Sequence, residues 1–354
     1  MAKKFSNLYE QIIDYDNLLF SYKKVISGSR KYQKDAVIFS MYEDLNLVQL
    51  WLDLKTYSYT VNNYIQFKVY EPKERIIHAP RVRDKIVQFA THNVIKNVYA
   101  ESFIKYSYAC LEGRGTHAAV NQVQKNMRIC EREFKDSWIV KLDVSKFFYS
   151  IDRTILKKIL RKKISCVSTL RLLDLIIDSS PEGESGIPLG NVTSQDLANV
   201  YLNELDQYAM RFLGIRYYVR YMDDVIAILP DKKTARECMN KMSDFIEEKL
   251  NMQVNPKKTQ IFPLSQGVNA YGYKIWTTHR LVRSESKNTM KRKMRKLEYK
   301  RQKGEIDVKV IKQSVASWVG HARHSNSFNL CKKLFAEYPY IQIKGDDYFG
   351  NRRY

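Results

Sequence analysis

Residues 215 to 229 form an apolar run, Ile-Arg-Tyr-Tyr-Val-Arg-Tyr-Met-Asp-Asp-Val-Ile-Ala-Ile-Leu, broken near its middle by two adjacent carboxylates, Asp223 and Asp224. β-Branched and aromatic flanks predict two strands, and Met222-Asp223-Asp224 falls where the chain turns between them. Asp is common in turns, so a polar hairpin tip is one reading of this pair. The other is a carboxylate site held at a rigid tip, ready for a divalent cation.

A second segment favours the cation. From Trp138 to Leu142 an apolar strand runs into Asp143 and then an aromatic turn, Phe147-Phe148-Tyr149. Mg²⁺ prefers oxygen ligands and is commonly held by one or two protein carboxylates, with water and substrate phosphate completing its shell. A strand-end Asp143 beside a hairpin-tip Asp223 meets that need if the two strands are neighbours in one sheet. Asp224 is expected to be the weaker or outer partner, because neighbouring residues on a strand point to opposite faces unless the turn re-aims one.

Together these segments resemble the catalytic palm of a reverse transcriptase. Tyr221 to Asp224 match the most specific motif of that family, and Leu142 to Asp152 match its first aspartate motif. Between them, Gly186-Ile187-Pro188-Leu189-Gly190-Asn191-Val192-Thr193-Ser194-Gln195 leads into a helical pattern of Leu197, Val200, Tyr201 and Leu205. The resemblance extends from about Tyr64 to about His324. Its wording is most similar to the group II intron-like bacterial lineage, and within that to diversity-generating retroelements, through Ser194-Gln195. Leu189 stands where related enzymes carry Gln, and an apolar side chain lacks the amide's hydrogen bonds. The resemblance therefore implies error-prone copying, especially at template adenines.

The same resemblance implies an α+β right-hand polymerase. Residues 1–55 would be a helical N-terminal extension, 56–135 fingers, 136–280 palm with part of 153–190 packing on the fingers, and 281–354 a basic helical thumb. Asp143, Val144, Asp223 and Asp224 would hold two Mg²⁺ ions, with Mn²⁺ as the alternative. Around the incoming dNTP it places Arg75 and Lys73 of a fingers hairpin, Leu189, Gly190, Gln195 and Lys257. Phe148 would exclude a ribose 2′-hydroxyl. Lys257 belongs to a motif that places a lysine near the phosphates, and the adjacent Lys258 fits as well. Template and primer would meet Arg114, Tyr221, Met222, the primer-grip segment Tyr271-Gly272-Tyr273, and Lys291 and Arg295 of the thumb. Partners implied are a retroelement template RNA, its RNA/DNA primer duplex, dNTP and a small basic oligomeric accessory protein. A defence-associated or intron-type enzyme with another template, and a non-catalytic RNA-binding relic, are the alternatives.

Composition agrees with a polyanionic partner. Sixty Lys and Arg against 38 Asp and Glu leave 60 − 38 = +22, which supplies salt-dependent affinity for nucleic acid through phosphate contacts. No stretch is long and apolar enough for a transmembrane helix and no secretory leader is visible, so a cytoplasmic protein without membrane contact is expected. Cys110, Cys130, Cys166, Cys238 and Cys331 lack Cys-x-x-Cys spacing and read as reduced, buried thiols, not as a zinc site or a disulfide framework.

Helical periodicity marks Leu8 to Val25, a second stripe of Val37, Ile38, Met41, Leu45, Val48 and Leu52, the segments 84–100 and 232–250, and a basic helix over 287–303. Both N-terminal stripes read as scaffold. His117 reads as a core or capping histidine, and His321 with His324 resembles the family's thumb wording, without the companions of a zinc site.

Overall fold

The computed structural model describes residues 4–70, 74–181 and 183–342, so Lys73 lies outside the described residues. The chain opens with four helices, α1 (Tyr9–Ile13), α2 (Tyr15–Val25), α3 (Lys34–Met41) and α4 (Glu43–Lys55). Asp14 separates the first two, its carboxylate accepting the amide of Asn17 as a helix N-cap. A hairpin follows, β1 (Ile65–Val69) and β2 (Arg75–Ala79), and then the long α5 (Val82–Ala100). Leu18, Tyr22, Leu47, Leu50 and Leu54 pack with Ile86 and Ala90 of α5 into one core.

The second N-terminal stripe does not pack as expected. Ala36, Phe39, Leu47, Leu50 and Leu54 face inward, whereas Val37, Ile38, Met41, Leu45, Val48 and Leu52 lie on the exposed side, Met41 at 69% and Leu45 at 71%. Spacing shows that residues share a face. It does not show that another element covers that face.

Next come α6 (Thr116–Glu133), β3 (Trp138–Asp143), α7 (Phe147–Ser150), α8 (Arg153–Lys163), α9 (Val167–Asp178) and α10 (Val192–Gln207). The hairpin β4 (Tyr217–Tyr221) and β5 (Asp224–Leu229) leads into α11 (Lys232–Leu250) and β6 (Gln260–Pro263). These strands form one antiparallel sheet in the order β4-β5-β3-β6. One face, carrying Val140, Leu142, Tyr218, Val225 and Ala227, packs on α8, α10 and α11. The other, with Ile139, Val219, Ile226 and Ile228, packs on α6 and on a small sheet of β7 (Val268–Ala270), β8 (Tyr273–Ile275) and β9 (Arg280–Val282). Leu172 and Ile176 of α9 join the N-terminal core, which ties the palm to the fingers side.

The last helices are α12 (Ser284–Gln302), α13 (Val308–Ala322) and α14 (Phe328–Phe335). Met290, Met294, Ile311, Val315 and Phe335 bind them to the α6 side of the sheet. Helices on both faces of an antiparallel sheet, with helical lobes before and after it, make the α+β right-hand architecture. Among the described residues no helix is long and apolar enough to cross a membrane.

Candidate active site

The β4–β5 turn is two residues long. Tyr221 pairs with Asp224, leaving Met222 and Asp223 at the tip, with Met222 in the left-handed region at φ 52°. Tight hairpins favour such conformations at their central residues. Asp143, the last residue of β3, lies directly across from Asp224 in the ladder, and residues so opposed share a face. The alternation that made Asp224 the weaker partner does not operate, because Asp223 sits in the turn and not in the strand.

Three carboxylates thus gather at one end of the sheet, and burial resists the ionisation of Asp223 and Asp224. Burial, reinforced by the charges of Asp143 and Asp224, raises the Asp223 carboxyl to about 6. Burial also raises Asp224, against the opposing pull of Lys141. Lys258 Nζ donates to Asp143 Oδ2 at 2.7 Å, and Lys141 Nζ stands 3.5 Å from Asp224 Oδ1. That Asp224 oxygen is buried and receives no hydrogen bond.

A cluster of oxygen donors, two of them with raised pKa values and one with an unsatisfied oxygen, fits a hard divalent cation. Among the described residues no set of three or more His, Cys, Asp and Glu side chains forms a ready metal cage. Asp143, Asp223 and Asp224 would be the residues to hold such an ion, beside Val144, which is buried and bridges Val254.

Lys258 separates itself from Lys257. The ammonium of Lys258 is on Asp143, whereas Lys257 donates its backbone amide to Asn255 Oδ1 at 3.1 Å. The lysine at the aspartates is therefore Lys258, and Lys257 lines the adjoining groove.

Phe147 is buried in the core while Phe148 stays half-buried, their rings 5.2 Å apart. Phe148, the less buried of the two rings, packs against the edge of the palm core. Arg75 opens β2 on an exposed edge, and Gln195 is exposed in the first turn of α10. Leu189 is half-buried beside Gly190. A Cβ on Gly190 would meet the His78 carbonyl oxygen at 2.1 Å, so this glycine serves close approach of the fingers hairpin to the palm loop.

Two template or primer expectations change. Arg114 spends its Nη1 on the carbonyls of Ile104 and Ser107, both at 2.8 Å, and so pins its own loop. Tyr273 is fully buried, its hydroxyl donating to the His321 carbonyl at 2.8 Å and stacking its ring on that imidazole, which makes it a palm-to-thumb anchor. Tyr271 and Gly272 form the β7–β8 turn, and the Tyr271 hydroxyl donates to the Asp224 carbonyl at 3.2 Å. Tyr221 packs against Tyr271 at 5.3 Å and accepts from Thr116. Lys291 and Arg295 are exposed on α12.

One support escaped the sequence reading. Arg220 is fully buried, and its Nε and Nη2 grip both oxygens of Asp206 at 2.7 Å. Its Nη1 donates to the Met222 carbonyl at 3.1 Å and to Asn199 at 3.2 Å. The guanidinium thereby braces the turn that carries Asp223. An arginine inside an apolar strand was the available signal, together with Asp206 between the buried Leu205 and Ala209.

With this geometry in place, comparisons with known proteins agree. The family described as reverse transcriptase (RNA-dependent DNA polymerase) matches residues 68–300. Protein YkfC of Escherichia coli (strain K12) is 26% identical over 263 residues, covering 62% of this chain and 67% of YkfC. Group II intron-encoded protein LtrA of Lactococcus lactis subsp. cremoris is 22% identical over 346 residues, covering 77% of this chain and 57% of LtrA. The putative COX1/OXI3 intron 2 protein of Saccharomyces cerevisiae is 20% identical, and the chain spans 39% of its length. Among solved structures, apo telomerase from Candida tropicalis aligns with a TM-score of 0.50 at 14% identity, covering 64% of this chain and 49% of that one, a likeness of fold.

Proposed function

This chain belongs to the reverse transcriptase (RNA-dependent DNA polymerase) family, and from that premise we propose that it is an active RNA-directed DNA polymerase of the diversity-generating retroelement type. The observation that carries the reading is the direct opposition of Asp143 and Asp224 with Asp223 at the adjoining turn. In the proposed reaction a primer 3′-hydroxyl loses its proton to solvent as its oxygen bonds to the α-phosphorus of a dNTP, the bond from that phosphorus to the α–β bridging oxygen breaks, and pyrophosphate leaves with that oxygen. Two Mg²⁺ ions, or Mn²⁺, held by these carboxylates would stabilise the charge on the attacking and leaving oxygens.

The remaining roles fall to the chain's own residues. Lys258 and Lys141 neutralise the carboxylates. Arg75 offers a guanidinium to the triphosphate, a geometry suited to phosphate oxygens. Phe148 leaves no room for a ribose 2′-hydroxyl. Leu189, set where the palm loop meets the fingers hairpin, contacts the nascent base pair without fixing it by hydrogen bonds. Leu189 and Ser194-Gln195 support the retroelement subclass, with template RNA, primer duplex and a small basic accessory protein as partners. The resemblance to intron-encoded relatives supports the broader lineage.

Primer extension on a defined RNA template with Mg²⁺ tests the reading. Wild type is expected to extend and Asp223→Ala to fail, and equal extension by both would overturn it. Leu189→Gln is expected to reduce misincorporation opposite template adenines. Equal error rates would remove the error-prone assignment, and sequencing the co-purifying RNA tests the retroelement template.

A further inference from the structure

Away from the aspartates, a cleft of about 700 Å³ lies between α6 and the turn from Trp276 to Arg280. Lys125, Arg128, Arg132 and Arg280 line it against one acid, Glu131, and that carboxylate accepts from the Thr277 hydroxyl at 3.0 Å. Two of the guanidiniums are held across the cleft. Arg128 Nε donates to the Thr277 carbonyl at 2.7 Å, and Arg280 Nη1 donates to Asn121 Oδ1 at 2.5 Å. On the helix itself, Arg132 Nε donates to the Arg128 carbonyl at 3.1 Å. The facing turn is stiffened in its own right, with Trp276 stacked on His279 at 4.6 Å and its carbonyl accepting from Gln124 at 2.9 Å.

We propose that this cleft is a second nucleic-acid site, which holds the sugar-phosphate backbone of a single-stranded RNA segment. Guanidinium forks match phosphate oxygens in pairs, and their planes also stack on unpaired bases. Arginines tied at one nitrogen lose less freedom when a ligand arrives, so the site is preorganised. The aliphatic stems of the same side chains give an apolar wall on which a base can lie. The cleft shares no lining residue with the aspartate cluster, so its RNA segment is one outside the copying site. That the RNA is the enzyme's template rests on the reverse transcriptase reading, whereas the site itself does not.

The test is equilibrium binding of the full chain to an unstructured single-stranded RNA of about 30 nucleotides, followed by fluorescence anisotropy over a range of salt. Lys125→Met with Arg132→Met removes two charges whose described hydrogen bonds stay within their own helix, so the fold is kept. This variant is expected to bind about tenfold more weakly, with a log-log salt slope shallower by about 1.4, for two lost phosphate contacts at about 0.7 each. Arg128→Lys keeps the charge and loses the fork, and is expected to show an intermediate loss. Lys241→Met with Lys249→Met, a matched pair on the exposed side of α11, is the control and is expected to change affinity less than about twofold. If the cleft variant weakens binding no more than the control, the proposal is overturned. Extension of a short primed template, measured alongside, reports on the polymerase reading independently.

Discussion

At the scale of single residues, the site combines groups that would be costly without their partners. Arg220 is a fully buried charge whose compensation comes from Asp206, and the pair is the mechanical support of the Met222-Asp223 turn. Buried charges persist where they are paired and hydrogen-bonded. Asp223 is different. Its carboxyl is raised to about 6 by burial and by Asp143 and Asp224, so ionising it costs free energy that the folded state must carry. The unfolded chain releases the same proton near the ordinary carboxylate value, so stability from this group is full below about pH 4 and is lost as pH rises through about 6. Asp223→Asn should therefore raise stability in metal-free buffer at pH 8 by an amount on the order of 2–3 kcal/mol at most. The gain should vanish by about pH 4. Thermal melts across that pH range check it; a constant difference, or a loss, would refute the assignment. Saturating Mg²⁺ should narrow the gap, because the cation offsets the repulsion in wild type.

At the scale of elements, local periodicity and local motifs were legible in the sequence, and side-chain partners were not. The helix read over 232–250 has those bounds in the structure, and the Asp hairpin and the β3 strand stand where the β-branched runs placed them. Those signals are local, since a period of 3.6 or 2 is carried by neighbouring residues. Arg114 and Tyr273 take partners that their motifs did not reveal, for the complementary reason. A motif places the backbone, but Arg114 finds carbonyls in its own loop and Tyr273 finds His321 on α13, contacts that depend on tertiary folding. Gly190 shows the same dependence in a testable form. Its neighbour is the His78–Ala79 backbone of β2, which cannot rotate away as a side chain would. Gly190→Ala should force the palm loop from the fingers hairpin and cost about 1–3 kcal/mol, as overpacking does. The KM for dNTP should rise with it, since Arg75 rides on that hairpin. Denaturation and steady-state extension measure the two effects, and an unchanged variant on both would show that the loop and hairpin do not need this approach.

At the scale of the whole molecule, the net charge of +22 is unevenly used. Lys258 and Lys141 are committed to the aspartates, and Arg220 to Asp206. In contrast, α12 carries Lys291 and Arg295 on its exposed side while Met290 and Met294 fix the opposite side to the core. The thumb is also tied to the palm through Tyr273 and His321, so the basic face is presented by an anchored helix. A positive face held at a fixed place tracks a duplex by its phosphates, independent of sequence. Lys291→Met with Arg295→Met should therefore leave the melting temperature unchanged while weakening binding to a primed template. For a duplex each lost phosphate contact reduces the log-log salt slope by about 0.9, so the double variant should be shallower by about 1.8. The loss should be similar for templates of different sequence. Measuring Kd against salt for two unrelated template-primers decides it: an unchanged slope would place the duplex away from α12, and a loss confined to one sequence would mean that these side chains read bases.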